Sequence, residues 1–249
     1  MLTAREVARY QRQIMIDGFG EEGQEKLKKA RVFIAGVGGL GAPAALYLAA
    51  AGVGTLRIVD PDSVELANLN RQVLHWDDDI GRHKVGSAAE KLKRLNGSVV
   101  VEAVEETISG DNASRLVAGC DVIVDALDNL PARYALNRAA LENKLPLCHG
   151  AVYGFEGRAM TVIPGQTACL MCLYRGASGT GCPRVIGVTP AIIGCIQAME
   201  AIKYIVGLGE LLTDRLLSFN GLNMKFTEFR VKRDPECADC GHPGRKGGE

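Results

Sequence analysis

The sequence has few aromatic residues, no excess of either charge and no long apolar run. Aromatic residues make up 5% of the 249 residues, which is little material for a surface that stacks nucleic-acid bases. Lys plus Arg number 29 and Asp plus Glu 29, so the chain lacks the net positive field that nonspecific nucleic-acid binders and polybasic membrane binders need. The best apolar segment, residues 40–53, is shorter than the about 20 residues that cross a bilayer. We therefore expect neither nucleic acid nor a membrane as a partner.

The first residues also lack the apolar segment of a secretory signal, although the chain contains eight cysteines. In a reducing compartment, cysteine serves metal binding, catalysis or packing rather than disulfide formation. We therefore expect a cytoplasmic protein with reduced cysteines.

Strands and helices alternate over residues 31–150. Short apolar segments predict strands at 31–35, 55–59, 99–104 and 120–126, and helical patterns lie at 42–51, 84–95 and 131–143. This alternation predicts an α/β fold with a Rossmann-like, doubly wound, mostly parallel sheet. His149 ends a further buried segment and is interpreted as a hydrogen-bonded core residue.

The pattern changes after residue 150. Antiparallel strands are predicted at 157–163, 215–219 and 225–232, with a long helix at 189–206 and a loop rich in Gly, Ser and Pro at 173–188. We expect a single domain over 1–249. Its parts are an N-terminal helical segment at 1–30 that Gly18, Gly20 and Gly23 break in two, a nucleotide-binding half at 31–150, a zinc-bearing second half that binds the second substrate at 151–241 and a flexible tail at 242–249.

A glycine-rich turn joins the first predicted strand to the first predicted helix of the sheet. Gly36, Gly38 and Gly41 follow the spacing of the dinucleotide fingerprint, and Asp60 ends the next strand. Glycines let a phosphate approach the amides at a helix N-terminus, and a carboxylate at the second strand can accept hydrogen bonds from a ribose. The alternative is tight strand–helix packing without a ligand, and the turn alone does not distinguish NAD from ATP.

Charged residues near this turn favour ATP. When a carboxylate attacks the α-phosphorus of ATP, negative charge builds on the phosphate oxygens and on the departing pyrophosphate, and fixed cations and Mg²⁺ stabilise it. Arg71 and Lys84 are candidate cations, and Asp128, just beyond a strand, is a candidate Mg²⁺ ligand. Each alone is also typical of a solvated surface charge. The protein could instead be an NAD-dependent oxidoreductase, but Arg71, Lys84 and Asp128 would then have no role in the reaction. It could also be a noncatalytic scaffold.

Four cysteines form two Cys-x-x-Cys pairs, Cys169 with Cys172 and Cys237 with Cys240. Four thiolates suit a tetrahedral Zn²⁺ ion, and a closed site of this kind is structural. One such pair alone would also fit a redox motif, but two pairs without a thioredoxin-like setting predict zinc.

Six segments, in order and spacing, resemble the MoeB/ThiF/HesA family, the bacterial relatives of ubiquitin-activating enzymes. They are Arg9-Tyr-Gln-Arg12-Gln-Ile14, Gly36-Val-Gly-Gly-Leu-Gly41, Asp60-Pro-Asp62, Asn68-Leu-Asn-Arg71-Gln72, Gly81-Arg-His-Lys84 and Asp128-Asn129. The resemblance covers roughly residues 5 to 241.

The resemblance implies a homodimer that adenylylates the C-terminal Gly-Gly carboxylate of a small ubiquitin-like sulfur-carrier protein, using ATP and Mg²⁺. It also implies zinc at the four cysteines, and an Arg12 that reaches into the other subunit's active site rather than being one more exposed charge. The implied nucleotide-binding residues are Gly36, Gly38, Gly39, Gly41, Asp60, Asn68, Arg71, Lys84, Asp128 and Asn129.

Cys182 has two interpretations. In ThiF-like members a loop cysteine in this region takes the activated carrier, or sulfur from it, as a covalent adduct, and Arg184 lies nearby to favour a thiolate. The alternative is an exposed loop thiol. The pathway stays open among molybdopterin, thiamine, cysteine and tRNA thiolation. Because no rhodanese-like domain follows residue 240, we expect a separate sulfur donor.

Overall fold

The fold is built on one eight-stranded sheet. A computed structural model describes residues 1–175, 177 and 184–241, and the strand order is β3-β2-β1-β4-β5-β6-β7-β8. The strands are β1 Arg31–Ala35, β2 Thr55–Val59, β3 Val100–Val104, β4 Val122–Asp125, β5 Leu147–Tyr153, β6 Glu156–Val162, β7 Arg215–Asn220 and β8 Lys225–Arg230. The first five strands in this order, β3, β2, β1, β4 and β5, pair in parallel. Strands β6, β7 and β8 follow beside β5, each antiparallel to the strand before it. The predicted fold class is therefore confirmed.

Eight α-helices accompany the sheet in the described ranges. They are α1 Ala4–Ile14, α2 Gly20–Lys29, α3 Gly41–Ala51, α4 Lys84–Leu95, α5 Ala113–Val117, α6 Leu130–Asn143, α7 Leu170–Leu173 and α8 Val188–Val206. Alternate residues of β1 point to opposite faces, so Val32 and Ile34 pack with α2, α3, α4 and α8, while Phe33 and Ala35 pack with α5, α6 and α7. Apolar cores on both faces explain the nearly continuous hydrophobic strands.

Helix α8 has the length and hydropathy of a bilayer-spanning helix, but it lies against the sheet and α3. Gly157 of β6 permits this contact, because a Cβ there would overlap Ile193. The buried polar residues of α8 are hydrogen-bonded within the protein: Gln197 donates to two backbone carbonyls, and Glu200 accepts from Thr161. These contacts place α8 in the interior of the fold, where its apolar residues pack in the core.

The N-terminal segment differs from the sequence prediction at one glycine. Gly18, with a φ of 78°, lies between α1 and α2, and Gly20, with a φ of 56°, begins α2, so the segment is broken at these glycines as predicted. Gly23, predicted to break the segment as well, lies inside α2. A Cβ at Gly23 would come within 3.0 Å of Val206 and 3.2 Å of Phe19, so the glycine allows close helix packing there.

Candidate functional site

A cleft of about 320 Å³ opens at the carboxyl ends of the parallel strands. It lies where β1 pairs with β2 on one side and with β4 on the other, which is the point of an open α/β sheet where ligands bind. The predicted nucleotide-binding residues that line it are Gly36, Gly38, Gly39, Asp60, Arg71, Lys84, Asp128 and Asn129. The fold thus brings together side chains from four separate segments.

The glycine turn shapes the floor of the cleft. Gly36 has a φ of 89°, which favours glycine, and a Cβ at Gly41 would overlap the carbonyl oxygen of Gly36. Gly41 lies outside the lining of the cleft, so its absent side chain serves the close approach of β1 and α3. The positive end of the α3 dipole faces the same cleft, where it favours an anion.

Asp60 is held at the edge of the cleft by two backbone amides. Its Oδ2 accepts from the Val37 N–H at 2.9 Å and its Oδ1 accepts from the Asp62 N–H at 3.0 Å. Burial raises the pKa of Asp60, although nearby Lys84 acts in the opposite direction. Each oxygen retains a lone pair, so the carboxylate can accept hydroxyl groups of a ribose.

Both predicted cations, Lys84 and Arg71, lie at this cleft. Lys84 begins α4, and its Nζ donates to Asp62 Oδ2 at 2.8 Å. Arg71 Nη1 donates to the Ala67 carbonyl at 2.8 Å and to Asn70 Oδ1 at 3.0 Å. Both groups keep further donor hydrogens that an anionic ligand can use.

Two other predicted residues lie away from the cleft in this single chain. Asn68 is buried, and its Oδ1 accepts from the Glu65 N–H at 3.1 Å, so it stabilises a short 3₁₀ turn, Leu66–Asn68. Arg12 is exposed on α1 and does not line the cleft. Neither residue therefore contributes a side chain to the cleft of its own chain.

Asp128 and Asn129 follow β4 directly. Asn129 Oδ1 caps α6 by accepting from the Ala132 N–H at 3.0 Å, and its Nδ2 donates to Asp128 Oδ1 at 3.4 Å. The Asp128 carboxylate is exposed and forms no ion pair with any residue in the described ranges. An exposed carboxylate with free oxygen ligands suits a hard cation such as Mg²⁺.

Sequence reasoning assigned no role to two buried residues of the cleft. Arg133 lines it from α6 and donates to the Leu127 and Gly150 carbonyls. Gln72 is 4% exposed, and its Oε1 has no hydrogen-bond partner within the described residues. Gln72 lies within the motif that carried the resemblance, which is the one signal that could have identified it.

The two Cys-x-x-Cys pairs meet on the α6 side of the sheet. The Sγ atoms of Cys169 and Cys237 are 3.7 Å apart, those of Cys172 and Cys240 3.4 Å, and those of Cys169 and Cys172 4.0 Å. Sulfurs bound to one tetrahedral Zn²⁺ at about 2.3 Å lie about 3.8 Å apart. The donor set and its spacing therefore fit zinc.

Neighbouring groups support this cluster. The Asp234 N–H approaches Cys172 Sγ at 3.4 Å, and the Arg233 guanidinium donates to the Cys240 carbonyl. Burial raises the pKa of the Cys240 thiol to about 11, so a bound cation would be needed to hold it as a thiolate near neutral pH. The cluster ties the C-terminal segment to α7, whose ends carry Cys169 and Cys172.

Cys182 lies outside the described residues. On the N-terminal side of Cys182, the Tyr174 carbonyl accepts from the Tyr134 hydroxyl at 2.9 Å. On the far side, Val185 forms a β-bridge with Gly154 and lines the cleft. Both flanks of the loop are therefore anchored on the protein.

Comparison with known proteins gives a family match, relatives of similar sequence and a solved structure of similar fold. Residues 10–239 match the ThiF family. The chain is 46% identical to the SAMP-activating enzyme E1 of Haloferax volcanii, covering 98% of this chain and 92% of that protein. It is 40% identical to a sulfur carrier protein adenylyltransferase of Thermus thermophilus, covering 96% and 92%. Its fold is similar to that of E. coli MccB crystallised with ATP, with a TM-score of 0.83 and 24% identity over 94% of this chain and 74% of that chain.

Proposed function

The chain belongs to the ThiF family, and on this premise we propose that it adenylylates the C-terminal carboxylate of a small ubiquitin-like sulfur-carrier protein, with ATP as the donor. One observation carries the proposal: a single cleft combines a glycine turn, the cations Arg71 and Lys84 and an exposed carboxylate, Asp128. Relatives of nearly the same length, named for activating SAMP and for adenylylating a sulfur carrier protein, support this choice of substrate.

The glycine turn and Asp60 bind and orient the nucleotide in this proposal. Gly36, Gly38 and Gly39 let the phosphates approach the backbone amides at the start of α3, while Asp60 accepts the ribose hydroxyls. The nucleotide base would then extend toward the apolar part of the cleft, where Ile108 lies after β3. This orientation directs the α-phosphorus toward the second half of the chain.

The chemical step is an in-line displacement. A carboxylate oxygen of the carrier tail forms a bond to the α-phosphorus, and the bond from that phosphorus to the oxygen bridging to the β-phosphate breaks. The products are an acyl-adenylate and pyrophosphate. Because the nucleophile is already an anion, the step needs no general base.

Negative charge moves onto the departing pyrophosphate during this step. Lys84 and Arg71 stabilise that charge from fixed positions at the cleft. Asp128, with Asn129 beside it, would hold the Mg²⁺ ion, which supplies charge neutralisation at the phosphates when bound. Lys84 can bind phosphate while remaining bonded to Asp62, because an ammonium group has three donor hydrogens.

The remaining assignments belong to the same proposal. Residues 31–150 bind the nucleotide, and residues 151–241 hold zinc and receive the carrier. Arg12 completes the active site of a second subunit in a homodimer. The Cys182 thiolate attacks the acyl carbon of the adenylate, forms a thioester with the carrier and releases AMP. A separate protein donates the sulfur, and the reaction takes place in the cytoplasm. Exposed Met15 and Ile16, which follow Arg12, offer apolar surface for the dimer contact.

ATP–pyrophosphate exchange against a panel of Gly-Gly carriers tests the function. We expect exchange with at least one carrier and loss of exchange when its terminal glycine is removed. Asp128→Asn should abolish exchange while carrier binding persists. A nicotinamide bound in the cleft, or no AMP transfer to any Gly-Gly polypeptide, would contradict the proposal. The same exchange measurement identifies which carrier and pathway the protein serves.

A further inference from the structure

Three hydrogen-bonded polar side chains lie between the turn that follows β4 and the end of α7. Asp125 at the end of β4 and His149 in β5 are fully buried. Asp125 Oδ2 lies 2.7 Å from His149 Nδ1, and His149 Nε2 lies 2.8 Å from the hydroxyl of Tyr174. We refer to these three residues as the Asp125–His149–Tyr174 relay. Nothing in the proposed displacement step uses them directly.

The charges of the relay fix the direction of its hydrogen bonds. Burial lowers the pKa of His149, so the imidazole is neutral. Burial alone would raise the pKa of Asp125, but Arg133 and the hydrogen bond from His149 hold it below its ordinary value. Asp125 is therefore a carboxylate that accepts from His149 Nδ1–H, and Nε2 accepts from the Tyr174 O–H. Each member can make its bonds in this one arrangement.

One end of the relay holds the turn that carries Asp128. Asp125 Oδ1 accepts from the Leu127 N–H at 3.2 Å, and Arg133 Nε donates to the Leu127 carbonyl at 3.1 Å. Both polar groups of the Leu127 backbone are thus tied to buried side chains. Asp128 itself is exposed, and its side chain accepts a hydrogen bond from the adjacent Asn129. Its position therefore depends on Leu127.

The other end belongs to the zinc-bearing segment. Tyr174 follows α7 directly and comes two residues after Cys172. Its N–H donates to the Leu170 carbonyl at 2.9 Å, and its own carbonyl accepts from the Tyr134 hydroxyl at 2.9 Å. The Tyr174 ring also meets the His149 ring edge to face, with centroids 5.4 Å apart. Tyr174 is therefore fixed in place independently of Asp125.

We propose that His149 and Tyr174 are positioning residues that hold Leu127, and through it Asp128, in the geometry that adenylylation requires. The inference deepens the proposed function and rests on it. The relay spans three sequence-distant elements, β4, β5 and the end of α7, and so joins the nucleotide half of the sheet to the segment that bears the cysteines. Such a link makes the geometry at Asp128 depend on the second half of the chain.

Removing one hydroxyl tests the relay. Tyr174→Phe deletes the donor to His149. The control Tyr134→Phe deletes a hydroxyl that bonds to the Tyr174 carbonyl, but that carbonyl still accepts from the Ala177 N–H at 2.8 Å and the Tyr174 N–H still donates to Leu170, so Tyr174 stays in place. Hydrogen exchange of the Leu127 amide reports the turn directly, without any enzymatic activity. We expect it to be about tenfold faster in Tyr174→Phe and unchanged in Tyr134→Phe.

The kinetic readout separates positioning from general stability. In Tyr174→Phe we expect kcat of ATP–pyrophosphate exchange to fall about tenfold while KM for ATP stays within about twofold. His149→Asn keeps a donor for Asp125 but cannot reach Tyr174, so it should match Tyr174→Phe. The two substitutions combined should then be no worse than either alone, because they remove the same connection.

Each outcome decides a separate point. The relay is refuted if hydrogen exchange of the Leu127 amide is unchanged in Tyr174→Phe, or if it changes equally in Tyr134→Phe. It is also refuted if the effects of Tyr174→Phe and His149→Asn add, or if Tyr174→Phe shows faster amide exchange but a wild-type kcat. If the wild-type protein shows no exchange with any carrier, the proposed function fails. In that case the Leu127 amide still decides the relay, because faster exchange in Tyr174→Phe alone supports it.

Discussion

Lys84 offers the sharpest test of how the cleft stabilises charge. The proposed role predicts that Lys84→Met, which keeps the length of the side chain but removes its charge, lowers kcat of ATP–pyrophosphate exchange by about 100- to 1000-fold. This magnitude corresponds to about 2.7–4 kcal/mol for one preorganised donor to transition-state charge. The ammonium group already lies at the cleft, so no rearrangement of the chain is needed for it to act.

The same substitution should have little effect on folding. Lys84 Nζ pairs with Asp62 Oδ2 at 2.8 Å, but the Asp62 side chain is 63% exposed. Lys84 itself is buried, but its replacement by Met leaves the exposed Asp62 carboxylate solvated by water, so we expect the loss of the pair to cost about 1 kcal/mol or less in stability. Lys84 also lies in the first turn of α4, where a cation is unfavourable to the helix dipole. The expected result is a large loss of activity with a nearly unchanged Tm.

A matched control is available on the same helix. Lys93 is exposed in the last turn of α4, and Lys93→Met makes the same chemical change away from the cleft. Both variants are compared by exchange kinetics with one carrier and by thermal unfolding. If Lys84→Met retains exchange within about threefold of wild type, or if Lys93→Met loses as much, the assignment of Lys84 to the triphosphate is wrong.

Three further predictions follow from other parts of the molecule. Cys240→Ser should lower the zinc content measured by metal analysis and lower the Tm, because one thiolate of a closed site is lost; full zinc occupancy in the variant would contradict this. Hydrogen bonds from Lys28 and Thr3 lower the pKa of Glu6 from 4.5 to about 2, so its contribution to stability is present above about pH 4.5 and is lost as the pH falls through 2. Glu6→Gln should therefore lower the Tm at pH 7 but not at pH 2, whereas an equal loss at both would refute this. Arg12→Ala and Lys84→Met, each inactive alone, should recover up to about a quarter of wild-type exchange when mixed and allowed to re-pair, because half of the dimers then contain one intact site; no recovery would contradict a shared site.

Local spacing in the sequence was sufficient for much of the site. The glycine turn and Asp60 could be predicted because a phosphate site between a strand and a helix requires small residues over a few consecutive positions. The cysteine pairs could be predicted for a similar reason, since metal ligands at that spacing occupy one tight turn. The glycine turn and each cysteine pair lie within fewer than ten residues, whereas Asp60 was identified by its place at the end of the next strand.

Other features depend on contacts between distant segments and leave no such pattern. Arg133 appears in the sequence as one cation of a helix, yet it bonds to carbonyls from two separate segments, at Leu127 and Gly150. His149 was interpreted as a hydrogen-bonded core residue, but neither of its partners is near it in the sequence. Asp125 lies 24 positions away and is brought beside His149 by the parallel pairing of β4 with β5. Tyr174 lies 25 positions away and comes from the end of α7.

The start of α8 shows why the two halves of the chain act on one cleft. A Cβ at Gly39 would come within 3.2 Å of Pro190, and a Cβ at Gly187 would overlap the carbonyl oxygen of Asn70. The first turn of α8 therefore rests on the glycine turn and on the backbone beside Arg71. Val185, just before this turn, also lines the cleft. The absence of side chains at Gly39 and Gly187 thus sets how closely the start of α8 approaches the glycine turn and Arg71, so residues from both halves of the chain form the wall of one cleft.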